Sequence, residues 1–101
     1  MPSVTRIGDM DMFHCSLPHR FECSPDVNVN GFGVSRETDN NDPHQKPAGL
    51  ICVPHTAPIA KGSKSVYANK LGVGRIGDPV NGLLNPCTQV AEGSQDVFAG
   101  D

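Results

Sequence analysis

Tryptophan is absent from this 101-residue chain, and only one Tyr and four Phe supply its aromatic surface. Hydrophobic residues make up 37% of the total. A chain this short buries a modest share of its surface. With so few large apolar side chains, a metal or a cross-link is expected to supplement the core. Basic residues are few, and the net charge is −3. No cationic stripe exists to hold a phosphate backbone, so nucleic acid and anionic membrane surfaces are excluded as expected partners. No apolar run approaches the roughly 20 residues of a membrane helix. The first residues, MPSVTRIGDMDMFHC, lack the basic stretch and apolar run of a secretory signal. Synthesis and assembly are therefore expected in a reducing bacterial cytoplasm. There, four cysteines point to metal ligands or free thiols before disulfides. A disulfide framework is the competing reading, with three possible pairings.

What is abundant is Gly, at 11 residues, and Pro, at 9. That balance favours short strands and many turns, in one domain spanning residues 1–101.

The chain repeats itself. VNVNGFGVSRETD, residues 27–39, aligns with VYANKLGVGRIGD, residues 66–78, without a gap. A third, truncated copy closes the chain, where GSQDVFAG, residues 93–100, matches GSKSVYAN, residues 62–69. The front end repeats too: RIGDMDMFH, residues 6–14, lines up with RETDNNDPH, residues 36–44, and RIGD recurs at 75–78. Self-similarity on this scale marks a repeated supersecondary unit. Each unit reads as an Arg-x-x-Asp turn, a variable loop, a strand, a turn and a returning strand. Val27 and Val29, and then Val66 and Ala68, alternate with polar residues as half-buried strands do. Asn30-Gly31 is a strong two-residue hairpin signal. The corresponding Asn69-Lys70-Leu71-Gly72 predicts a longer or differently built turn. Asp9, Asp39 and Asp78 read as turn-capping carboxylates, and Arg6, Arg36 and Arg75 as ion-pair residues. Three unequal copies are too few for a solenoid, so a compact body with pseudo-threefold symmetry is expected.

Long loops between each Asp and the next Val are functional or tied down. They hold the histidines and cysteines. His14 and His44 stand at the same distance after Asp9 and Asp39; His55 lies in the second loop and Cys87 in the third. Brought together, three imidazoles and one thiolate suit tetrahedral zinc. Spacing alone leaves alternatives open. Cys52-Val53-Pro54-His55 could form a local chelate, Cys15 and His19 are a weaker pair, and each His could simply be solvated. Cys23 stands where Gly62 and Gly93 stand in the other copies, which reads as a small packing position.

These segments together resemble the PAAR-repeat family. SPDVNVNGFGVSR, KGSKSVYANKLGVGRIGDPV and EGSQDVFAG carry the resemblance, with HCSLPHR matching the family's first loop; it spans residues 3–100. The name-giving tetrapeptide survives only in its Arg, at Gly33-Val34-Ser35-Arg36 and Gly72-Val73-Gly74-Arg75. VNGLLNP is an insertion before Cys87. The resemblance implies a mainly β, small conical domain of short strands and hairpins, with one structural zinc near the vertex. It implies the ligands His14, His44, His55 and Cys87, and excludes His19. It implies a non-enzymatic tip that caps and sharpens a trimeric β-helical spike, one tip per trimer. That spike would belong to a phage tail or a type VI secretion apparatus and touch the target membrane transiently. The short length and the VFAG ending tilt towards a virion tail. A zinc hydrolase using the three histidines is the alternative; a Cys as fourth ligand would leave its water no place. A toxin-carrying adaptor is a third reading. The hairpin returns, including Val34, are expected to form an exposed apolar base that meets the spike.

Overall fold

The computed structural model describes every residue except 14–16, 49–50 and 82–87, and over 44–48 and 51–55 it describes the backbone. The class is mainly β. Among the described residues there is no helix, and eight short strands form four antiparallel pairs. β1 (Asn28–Val29) pairs with β2 (Phe32–Gly33), and β3 (His44–Ala48) with β4 (Ile51–His55). β5 (Tyr67–Ala68) pairs with β6 (Leu71–Gly72), and β7 (Pro79–Val80) with β8 (Thr88–Gln89).

The β1–β2 and β5–β6 hairpins are built alike, contrary to the expectation of a longer or differently built second turn. Tyr67 faces Gly72 and Ala68 faces Leu71, so Asn69-Lys70 is a two-residue turn like Asn30-Gly31. All four turn residues have positive φ: 56° and 83° in the first, 55° and 70° in the second. A tight turn that follows the strand twist demands this of both central residues. Asn and Gly adopt it readily, whereas Lys70 carries a Cβ into left-handed space. Lys70→Gly is therefore expected to stabilise the protein by about 1 kcal/mol, read as a higher thermal midpoint. An unchanged midpoint would mean that the stem of Lys70 compensates the backbone cost.

One set of hydrogen bonds is made three times. The Ser24, Ser63 and Ser94 N–H groups donate to the carbonyls of Val34, Val73 and Val4 at 2.8, 2.9 and 2.8 Å. Those three valines donate in turn to the carbonyls of Val27, Val66 and Val97, each at 3.0 Å. The hydroxyls of the same serines accept the N–H groups of Val27, Val66 and Val97 at 2.9, 3.0 and 3.0 Å. Each Ser hydroxyl thus satisfies the N–H three residues on, a donor that would otherwise be orphaned.

In the third set the strands are not contiguous. Val4 comes from the N-terminus and Val97 from the C-terminus. Ser3 bridges Phe98, and Ala99 N–H donates to the Pro2 carbonyl at 3.1 Å. The copy that reads as truncated is completed by the other end of the chain. It is a hairpin without a turn.

The returning segments then join in a closed circuit. Thr5 N–H donates to the Gly74 carbonyl at 2.9 Å, Gly74 N–H to Ser35 at 2.8 Å, and Ser35 N–H to Thr5 at 3.1 Å. Each segment satisfies the next, so no edge is left open there. The circuit is crowded: a Cβ on Gly74 would stand 2.6 Å from Ile59 Cδ1 and 2.9 Å from Thr5 Cγ2. Gly is required at that one position, while Thr and Ser fit at the other two.

Two apolar clusters form among the described residues. The first holds Val4, Val34, Ala68, Val73 and Ala99, with Val29 and Val97 against it. The second holds Ala57, Ile59, Val80 and Val90. Val34 is 1% exposed, so the expected apolar base does not include it. A return strand bonded on both sides within the circuit turns its Val inward. The large apolar groups that do face solvent at the hairpins are Val27, Phe32, Val66, Tyr67 and Phe98.

Candidate functional site

Each Arg-x-x-Asp segment folds into the same compact clasp. Asp9, Asp39 and Asp78 each accept the N–H of the Arg three residues earlier, at 2.9, 2.8 and 2.8 Å. Each also receives that guanidinium through both carboxylate oxygens, at 2.8–3.1 Å. Fork-to-fork geometry of this kind is charge-assisted and directional. The hydrogen bond to each Asp raises the pKa of Arg6, Arg36 and Arg75, so the guanidinium charge is held. Burial pushes Asp78 up, against the opposing pull of Arg75. The expectation of turn-capping Asp and ion-paired Arg is met at all three positions.

A further guanidinium bond of Arg6 and of Arg36 reaches across to a hairpin tip. Arg6 Nη1 donates to Asn30 Oδ1 at 3.1 Å and Arg36 Nη1 to Asn69 Oδ1 at 2.9 Å. Each Asn amide then donates to a carboxylate of another segment: Asn30 to Asp96 and Asn69 to Asp26, both at 2.8 Å. These bonds hold Asp26 and Asp96 below the usual carboxylate range, the amide being the largest cause. At the third place the chain has run out of hairpin, and Arg75 Nη1 donates to Asp101 Oδ1 at 2.8 Å instead. The Ser63 and Ser65 hydroxyls donate to the Gly100 carbonyl there. Asn at the turn is thus fixed twice over, by its positive φ and by its amide.

His14, His44, His55 and Cys87 are the expected metal ligands. His14 and Cys87 lie outside the described residues. His44 and His55 open β3 and close β4, and they are direct cross-strand partners in the register. Directly opposed positions of an antiparallel pair share a face, with Cβ atoms about 4.5–5.5 Å apart in general. Two donor residues at such positions are candidates for one shared ion. Cys52 pairs with Pro47 and stands three residues before His55 in the same strand. Odd spacing in a strand places two positions on opposite faces, which works against the local Cys52–His55 chelate. Cys15 also lies outside the described residues. His19 sits beside Asp42, its Nδ1 3.7 Å from Oδ2, and its N–H donates to Asp42 Oδ1 at 3.0 Å. Cys23 is a half-buried free thiol packed on Gly33, as expected of a small packing residue. Among the described residues no group of three or more His, Cys, Asp or Glu side chains gathers for a metal.

Sequence reading missed one feature near these loops. Asp11 and Arg20 are both fully buried and paired at 2.6 Å. Asn41, also fully buried, donates its amide to the same Asp11 oxygen at 2.9 Å. Its Oδ1 accepts Ala57 N–H at 2.8 Å, and its own N–H donates to the Ala57 carbonyl at 3.0 Å. Arg20 also reaches the Asp39 carbonyl at 3.2 Å. The available signal was the position of Asp11 and Asn41, each two residues after a recurring Asp, where the third unit has Val80.

Comparison with known proteins leaves the chain to be read from its own residues: no protein-family model matches it, and no curated protein matches it significantly.

Proposed function

We propose that this protein is the tip of a trimeric spike in a contractile injection machine, a phage tail or a type VI apparatus. In this reading it is a small cone with pseudo-threefold symmetry. One structural zinc near the vertex is held by His14, His44, His55 and Cys87, and the protein performs no catalysis. It sits one copy per trimer, binds no nucleic acid, and touches the target membrane when the machine contracts.

The observation that carries the reading is the threefold recurrence of the Ser–Val–Val hydrogen-bond set around the Thr5–Ser35–Gly74 circuit. One chain that makes the same hairpin three times, the third from its two termini, can present three like contacts to a homotrimer. The exposed Phe32, Tyr67 and Phe98 on these hairpins supply apolar contact surface. Large apolar groups left in water are what a binding surface requires. The open strand ends of a β-helical trimer need such a cover.

The test is co-expression with candidate trimeric spike proteins, followed by native mass measurement. A complex of one tip with three spike chains is expected, and a Tyr67→Asp/Phe98→Asp variant should lose it while remaining folded. A complex of three tips per trimer would refute the symmetry match. So would a double variant that still binds.

A further inference from the structure

We propose that Asp11, Arg20 and Asn41 form a buried polar brace that positions the His44–His55 pair for metal binding. This rests on the zinc reading above.

The brace is not what packing alone would select. Hydrogen bonds define the corresponding places. Gly8, Thr38 and Gly77 N–H groups donate to the carbonyls of Arg20, Ile59 and Val90, and these three residues donate back to Asp9, Asp39 and Asp78. Ile59 and Val90 are core residues, 1% and 0% exposed. Arg20, equally buried, holds the same place with a charge. Two residues after the same three Asp stand Asp11, Asn41 and the fully buried Val80. One sector of this layer is therefore hydrocarbon and the other is an ion pair with an amide. Burying an ion pair rarely stabilises a fold more than apolar residues of like volume would. A reason other than packing is required for keeping it.

Its connections supply the reason. Asn41 lies three residues before His44, and Ala57 two residues after His55. The two bonds between Asn41 and Ala57 clamp the root of the β3–β4 hairpin just outside the His44–His55 register pair. Asn41 is oriented by Asp11, and Asp11 is fixed by Arg20, whose second bond reaches Asp39 at the start of the same loop. An amide with both ends engaged cannot rotate without breaking a buried bond. The hairpin root is thereby held at one angle, and so is the pair of positions it carries. Outer groups that fix ligand geometry typically change metal affinity 10- to 100-fold when removed.

The experiment uses the full chain and two variants. Asp11→Val/Arg20→Ile installs residue types that already occupy the corresponding places. Asn41→Ser leaves the ion pair but is too short to span Asp11 and Ala57. Zinc affinity is measured by competition with a chromophoric chelator, and the ligand field by the visible spectrum after cobalt substitution. Folding is followed by hydrogen exchange at the Thr5, Ser35 and Gly74 amides. Both variants are expected to keep those amides protected, to bind zinc 10- to 100-fold more weakly, and to shift the cobalt bands. Zinc affinity within twofold of the parent in a folded variant overturns the brace. If the double variant does not fold, Asn41→Ser decides alone. A parent protein that binds no zinc refutes the zinc reading itself, and the brace falls with it.

Discussion

Val34→Asp is expected to unfold the protein. Val34 is 1% exposed and packs with Val4, Ala68, Val73 and Ala99. Its N–H and C=O are both used, by Val27 and by Ser24. A carboxylate there would be set among the valines and alanines of this cluster. Burying an unpaired charge lies at the severe end of single substitutions, on the order of 4 kcal/mol or more. Natural domains hold about 5–15 kcal/mol in total, and this core is small. The expected result is lost cooperative unfolding at neutral pH and lost protection of the Thr5, Ser35 and Gly74 amides. Phe32→Asp, at a position 54% exposed, is the contrasting control and should remain folded. It gives up the contact of its ring with the Arg6 guanidinium, 5.6 Å from the centroid. A folded Val34→Asp protein would mean that the first apolar cluster is not a core.

Metal removal should have an effect as large. On the zinc reading, a chelator is expected to lower the thermal midpoint by tens of degrees or abolish the transition. Structural zinc contributes about 10–16 kcal/mol of apparent folding free energy, comparable with or above the stability of an ordinary domain. The buried hydrophobic residues of the described chain are valines, alanines and one isoleucine. Such a core gives little reserve once a metal is gone. Cys87→Ser should reproduce the loss, since it removes a ligand and its negative charge. Cys23→Ser should change little, because that half-buried thiol packs on Gly33 and Ser is nearly the same size. One zinc per chain by elemental analysis is the matching measurement. Equal losses from both Cys variants would point to cysteine pairing instead. A chelator without effect would remove the metal from the account.

The repeat shows how far local pattern reaches. The Arg-x-x-Asp clasps were legible because the whole motif lies within four residues, and the same bonds form wherever that motif occurs. The first hairpin was legible for the same reason, since Asn30-Gly31 is sufficient for a tight turn. Lys70 was misleading because propensity argues against positive φ. The Asn69 amide, held by Arg36 and Asp26 from distant segments, overrides that preference. Val34 misled for a related reason. Alternation tells that a strand has two faces, but not which face the rest of the chain will cover.

By itself, the sequence determined the mainly β class, the paired turns and carboxylates, and the presence of a repeated unit. All of these depend on residues close together in the chain. Only the tertiary structure decided that the third hairpin is made from the two termini, because nothing local links Val4 to Val97. It alone decided that His44 and His55 are cross-strand partners, since register depends on the pairing of two strands. And it alone revealed the buried Asp11–Arg20–Asn41 group. Burial is a property of everything packed around a residue, and a charged residue carries no mark of it in the sequence.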